Sequence, residues 1–200
     1  MNLRPLCLTL IALAPMLLNA EESLPFKDDF SGPEQAKRRA SRGEWKFADH
    51  TATCTQDDEL YKKFKDHGPI IFYDLPHQDA EVRFSYRIDG AKSVVFTANG
   101  EHGHVFRFVS SANGTGFRAF PTDSADHASI ALGKTGPKLK EGEWVDVVVT
   151  MKGTKATIKI GPDYTTTVEH PSLAAARTNL SIGFAFGTFS IRGWTVEKPQ

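Results

Sequence analysis

The chain has 200 residues, 24 Lys and Arg against 24 Asp and Glu, and a formal net charge of +0. Charge so balanced supplies no global field for nucleic acid, and two cysteines exclude a disulfide-dense scaffold. A chain of this length can bury one full hydrophobic core, so a single domain is expected.

Arg4 gives a short positive region, Leu6 to Leu18 an apolar run, and Leu18-Asn19-Ala20 a small-residue cleavage site. This pattern reads as a secretory signal peptide over 1–20, too short to span a membrane as a helix. The expected mature chain, 21–200, has a net charge of −1 after loss of Arg4 and keeps one cysteine, Cys54. It therefore has no internal disulfide. No second apolar run of spanning length follows, so the expected product is secreted or periplasmic, with no membrane partner after cleavage.

Pro25 to Phe30 reads as a first strand, and Ser31-Gly32-Pro33 turns it. Glu34 to Arg42 has helix-compatible composition. Gly43 to Phe47 alternates, with Trp45 and Phe47 inward. Asp57-Asp58-Glu59 is a solvated charge run, and Leu60 to Asp66 a short helical turn or loop. Ile70 to Tyr73 is an apolar strand.

The stretch Glu81 to Phe120 carries the strongest pattern. Val82, Phe84, Tyr86 and Ile88 share one face; Arg83, Ser85 and Arg87 share the other. Asp89-Gly90 and Asn99-Gly100 supply turn chemistry, so an antiparallel meander is predicted. Its loop lengths set Tyr86 opposite Val94, Phe84 opposite Phe96, Phe96 opposite Phe106, Val94 opposite Phe108, and Phe108 opposite Ala119. The polar face then collects Arg83, Arg87, Arg107, Arg118 and Phe120, with Arg107 beside Phe120.

Pro121 to Lys140 loses pattern and reads as a long loop of the kind that often serves a binding surface, with a brief strand over Ser129 to Leu132. Glu143 to Met151, Ala156 to Ile160, Thr165 to Glu169, Leu180 to Phe186 and Phe189 to Val196 read as further strands. Leu173 to Arg177 allows a helical turn. The fold class is all-β: a two-sheet antiparallel sandwich of jelly-roll type. Its core is predicted to include Val82, Phe84, Tyr86, Val94, Phe96, Phe106, Phe108, Val147, Ile158, Phe184 and Ile191.

Several motifs resemble a known group: Asp28-Asp29-Phe30-Ser31, Gly43-Glu44-Trp45-Lys46, Lys65-Asp66-His67-Gly68-Pro69, Phe84 to Ala91, Gly103 to Arg107, Gly142-Glu143-Trp144 and Phe189 to Trp194. They are similar to the 3-keto-disaccharide hydrolase-like family of secreted bacterial proteins with a concanavalin-like jelly-roll fold. The resemblance implies substrates that are glycosides oxidised at C3. A carbonyl there acidifies the neighbouring C–H, so a placed base starts elimination or hydrolysis of the glycosidic bond. Where longer members tend to carry Asn-Ser-Gly, this chain has Ala91-Lys92-Ser93-Val94-Val95.

His67, in the family-like loop, and His104 are the candidate catalytic bases. Arg83, Arg87, Arg107, Arg118 and Phe120 are the candidate substrate-binding residues. Arginine forks hold carboxylate or sulfate bidentately, so the arginine face points to an anionic polysaccharide, uronate-containing or sulfated. The alternation of Arg83 and Arg87 with Glu81 and Asp89 equally suits solvated ion pairs. Glu143 and Asp146 are three apart and fall on opposite strand faces, so they do not form the stacked carboxylate pair of a glycosidase. His102 and His104 have strand spacing for half a metal site but lack a third ligand, and neither a metal nor another cofactor is expected. Asn113-Gly114-Thr115 is a glycosylation pattern relevant only to a eukaryotic secretory route. Three readings follow: an enzyme on 3-keto-glycosides, a non-catalytic carbohydrate-binding module for an anionic polysaccharide, or a structural surface domain. None calls for a nucleic-acid partner.

Overall fold

The computed structural model describes residues 24–121 and 128–200. The expected signal peptide lies outside the described residues, as do Asp123, Asp126 and His127. Fifteen strands and one short helix follow in order: β1 (Phe26–Asp28), β2 (Arg38–Ser41), β3 (Lys46–Ala48), β4 (Thr51–Thr55), α1 (Asp58–Lys63), β5 (Ile70–Tyr73), β6 (Ala80–Asp89), β7 (Ser93–Gly100), β8 (Gly103–Ser111), β9 (Gly114–Ala119), β10 (Ile130–Gly136), β11 (Val145–Lys152), β12 (Lys155–Ile160), β13 (Tyr164–Glu169), β14 (Asn179–Ala185) and β15 (Thr188–Glu197). A 3-10 turn covers Pro171–Ala174. Among the described residues no helix is long and apolar enough to cross a membrane.

Two antiparallel sheets form the sandwich. One runs β13-β12-β11-β6-β15-β4-β3, with β1 also paired to β15; the other runs β10-β9-β8-β7-β14-β5-β2. Every residue expected in the core is buried. Rings from the two sheets meet in an aromatic seam: Phe84 stacks on Phe96 at 6.1 Å, Tyr73 on Trp194 at 4.3 Å and Phe184 on Phe189 at 5.2 Å. Burying each such side chain contributes roughly 1.5–3 kcal/mol.

The meander expectation needs correction at its first link. β6 and β7 are not a hairpin. β6 pairs with β11 and β15, whereas β7 pairs with β8 and β14. The chain crosses between sheets at Asp89-Gly90, where Gly90 has φ +72°. Phe84 and Phe96 therefore face each other across the core instead of lying side by side.

The register after the crossing is also shifted by two. Phe96 pairs with Phe108 and Ala98 with Phe106, because the strands run on to Gly100 and Gly103 around an irregularity after Ala98. Phe108 pairs with Phe117 and Phe106 with Ala119. A slip of two keeps every side chain on its face, so the core membership survives the register error.

Further elements differ from expectation: Thr51–Thr55, where no strand is expected from the sequence, forms β4, and β10 runs on to Gly136. Arg38–Ser41 is a strand, not a helix. Arg38 is fully buried there, with its guanidinium on the Asp28 carboxylate at 2.8 Å and 4.0 Å above the Phe47 ring. Tyr73 Oη donates to the same carboxylate at 3.0 Å. That network holds the strand, and helix propensity is the weaker term. The acidic run at Asp57 caps α1: its carboxylate accepts from Leu60 N at 2.8 Å, with Asp58 and Glu59 in the first turn.

Candidate functional site

The outer face of the seven-stranded sheet carries a cleft of about 460 Å³. Its floor is made of outward side chains of β7, β8 and β14, including Val95, Thr97, Arg107 and Ser181. One wall is α1 and the loop behind it, with Tyr61, Asp66 and His67. Lys65 and Asp66 both sit in the left-handed region, at φ +55° and +61°. Gly68 then passes so close to β14 that a Cβ there would lie 2.0 Å from the Phe184 carbonyl oxygen. Phe184 N donates to Pro69 O at 3.2 Å, and Tyr61 packs on Phe186 at 5.3 Å. The wall is thus seated on the sheet by backbone contact. Consecutive left-handed non-glycine residues persist only where the surroundings fix them.

At the opposite end lies a polar chain. Arg107 Nε donates to Thr97 Oγ1 at 3.1 Å, and its Nη2 donates to His104 Nε2 at 2.6 Å. His104 Nδ1 lies 2.6 Å from Asn99 Oδ1, and Asn99 Nδ2 donates to Asn179 Oδ1 at 2.8 Å. A guanidinium only donates, so His104 Nε2 is the acceptor and Nδ1 carries the proton. Burial, and then the Arg107 charge, hold His104 below the usual imidazole range. Burial also lowers Arg107. Among the described residues no carboxylate pairs with Arg107; its partners are a hydroxyl and a neutral ring.

The seven residues expected to form the site divide. His67, His104 and Arg107 line this one cleft. Phe120 joins them: its ring lies 5.4 Å from the Arg107 guanidinium and 5.1 Å from the His104 ring. Arg118 pairs with Arg107 across β8 and β9, but it is exposed and donates to Ser129 Oγ at 2.8 Å. Arg83 and Arg87 are elsewhere. They lie on the outer face of the eight-stranded sheet, where Arg83 pairs with Glu81 and Arg87 lies 5.5 Å above Trp144 beside Arg192. The single arginine face expected from the meander does not exist, because β6 and β7 belong to different sheets.

The two histidines differ chemically. His67 Nδ1 lies 2.8 Å from Lys65 O and 3.1 Å from Phe64 O. Carbonyls accept, so Nδ1 bears the proton and Nε2 keeps an open lone pair. The His104 lone pair is taken by Arg107, which leaves it unable to accept a substrate proton in this arrangement. Asp66 is the one carboxylate among the cleft's described lining residues, so the carboxylate pair of glycoside hydrolysis does not occur among them. Asp146 accepts from Ser85 on the other sheet, and Glu143 lies 4.0 Å from Lys140. Among the described residues no group of three potential metal ligands occurs, and His104 is engaged as above.

Sequence reasoning missed Asn99, Ser181 and Tyr61 as cleft residues. Asn99 reads as a turn residue but lies in β7. Ser181 lies in a strand that the alternation reveals, yet nothing local says that β14 lies beside β7.

No family model matches the chain, and no curated protein matches it either. Solved structures do. The carbohydrate-binding module CBM66 from Bacillus subtilis is similar with a TM-score of 0.59 at 9% identity, over 81% of this chain and 96% of that one. The exoplasmic/lumenal domain of VIP36, in a Ca2+/Man2-bound form, gives 0.59 at 7% identity, over 90% and 89%. The Crh5 transglycosylase gives 0.63 at 9% identity, over 88% and 85%. At such identities the likeness is one of fold: this chain has the jelly-roll sandwich shared by carbohydrate-binding modules, lectins and glycoside-processing enzymes.

Proposed function

We propose that this chain is an exported carbohydrate-binding protein whose ligand lies across the cleft of the seven-stranded sheet, with Arg107 on an anionic sugar substituent. One observation carries the reading. Among the described residues Arg107 is a half-buried cation with no carboxylate partner, held by a hydroxyl and a neutral ring, and a carboxylate or sulfate ester would complement it. Phe120 offers an adjacent ring for stacking. The fold shared with sugar-binding modules agrees with this reading.

Calorimetry of the mature protein with tetragalacturonate and with a neutral tetrasaccharide tests it. Arg107→Ala should cost roughly 1.5–3 kcal/mol of binding to the anionic ligand, and affinity should fall with salt because charges are screened within about 8 Å at physiological strength. Arg83→Ala and Arg87→Ala should change nothing. Equal binding of both ligands, with no salt slope, refutes it. Export is tested separately by N-terminal sequencing of protein recovered outside the cytoplasm, which should begin at Glu21.

A second reading has an observation of its own. The open Nε2 of His67 suits a base that removes the proton beside a C3 carbonyl, as the resemblance to 3-keto-disaccharide hydrolases implies. Sugar release from a 3-keto-glycoside that is lost in His67→Gln would favour it.

A further inference from the structure

The contact between Arg107 and His104 has two possible endings when an anion arrives. Either the anion finds a guanidinium face left free by the ring, or it takes the Nη2 donor that His104 now occupies. The cleft side of Arg107 is fixed by Thr97 through Nε and by His104 through Nη2. A bidentate anion needs two adjacent donors of one guanidinium edge, and both donors of the Nε/Nη2 edge are already engaged.

We propose that Arg107 and His104 form a proton-coupled anion clamp: the anionic group of the ligand displaces His104 from Arg107, and His104 Nε2 takes one proton from solvent and becomes a second donor to that anion. The clamp rests on the carbohydrate reading above for its natural ligand, a uronate or sulfate ester, but the chemistry belongs to the two side chains. Before binding, His104 faces a cation and protonation there is opposed. After binding, it faces an anion and protonation is favoured. Asn99 makes the exchange possible without loss of position. Its Oδ1 accepts from Nδ1 in both the neutral and the protonated ring, and its Nδ2 is tied to Asn179 at 2.8 Å. Asn99 is therefore a positioning residue.

The surroundings of His104 agree. Asn99 faces it from β7, Arg107 from β8, and the Phe120 edge from the end of β9. Arg118 stands across from Arg107, and Glu101 and His102 precede it in the exposed turn. Asp66, His67 and Arg42 line the same cleft. Among the described residues none of these carboxylates lies within ion-pair distance of His104; in the clamp the ligand supplies the anion.

The consequence is a binding constant that rises as pH falls. Between the titration midpoints of the free and bound His104, affinity should gain up to tenfold per pH unit, with uptake of about one proton per anion bound.

The test needs no knowledge of the natural ligand. Ring nitrogen NMR of His104 is followed against pH, with inorganic sulfate or with chloride at equal ionic strength. In chloride the ring should hold the Nδ1–H tautomer and protonate below the ordinary imidazole midpoint. Sulfate should raise the midpoint by at least one pH unit, and Arg107→Gln should abolish that shift. His104→Gln keeps an acceptor for Arg107 and removes the titrating group, so its affinity for tetragalacturonate should lose the pH dependence. A midpoint that sulfate leaves unmoved overturns the clamp, as does an unchanged pH slope in His104→Gln. If sulfate moves His104 but no anionic oligosaccharide binds, the clamp stands and the carbohydrate reading fails. If tetragalacturonate binds through Arg107 with no pH slope, the reverse holds.

Discussion

His77 offers a sharp test of how burial governs stability. Its Nδ1 lies 2.6 Å from Leu75 O, which fixes the proton on Nδ1, and its Nε2 is buried with no hydrogen-bond partner among the described residues. Opposite stands Arg177, 2% exposed, bridged to His77 through paired backbone hydrogen bonds. Protonating His77 would put a second cation beside a buried one and give Nε2 a hydrogen with no acceptor. Burial is the largest effect and brings its pKa down from 6.5 to about 4; the Leu75 carbonyl opposes it next, and Arg177 then lowers and Asp79 raises by less. A base depressed in the folded state contributes nothing above the unfolded value. As pH falls below 6.5 the unfolded chain takes up a proton and the folded one does not, so stability declines until pH reaches about 4. At about 1.4 kcal/mol per pH unit the loss is at most about 3 kcal/mol, a ceiling because the residue keeps some solvent contact. His104 is lowered too and adds in the same direction. Asp29 and Asp74, both lowered, act below this window. Urea denaturation of the parent and of His77→Gln across pH 7.5 to 4 isolates the term. The stability difference between them should narrow by up to about 3 kcal/mol towards acid. Parallel profiles, or a His77 midpoint near 6.5 by NMR, would refute the account.

Two other predictions follow from buried contacts. Asp28→Asn leaves Arg38 with an uncompensated charge in a site where both side chains are almost wholly buried, so chemical denaturation should show a loss of about 3–5 kcal/mol. Gly68→Ala drives a methyl group into the Phe184 carbonyl; it should lower thermal stability by an amount equivalent to about 1–3 kcal/mol and weaken ligand binding, because the His67 wall lifts from the sheet.

The faces of the strands were legible in the sequence because alternation reports inside against outside. Phe84, Phe96 and Phe106 are buried as their spacing implies. What alternation leaves open is which outside. A sandwich has two outer faces, and Arg87 and Arg107 have the same local pattern although they point away from opposite sheets. The deciding fact is that Asp89-Gly90 crosses the sandwich instead of closing a hairpin, and a Gly turn serves either purpose. Pairing partners such as β6 with β15, about a hundred residues apart, leave no local trace. The cleft was half visible for the same reason. His67 and His104 were legible as polar residues in loops or at strand edges, but their convergence depends on β14 lying between β7 and β5. The strand at Arg38 was unreadable because a buried ion pair with Asp28 decides it.

The placement of the last strand has a consequence for how the protein is made. β15 sits inside the eight-stranded sheet, joined to β6 on one side and to β4 and β1 on the other, and Val196 lies opposite Phe26. Until residues 188–197 leave the ribosome, β6 has a bare edge and the Trp194 indole is missing from the seam. A chain that lacks residues 188–197 therefore cannot close this core, and the pairings that complete it span a long sequence separation. Deleting residues 188–197 should therefore give an unfolded product instead of a shortened domain, read as loss of a cooperative unfolding transition.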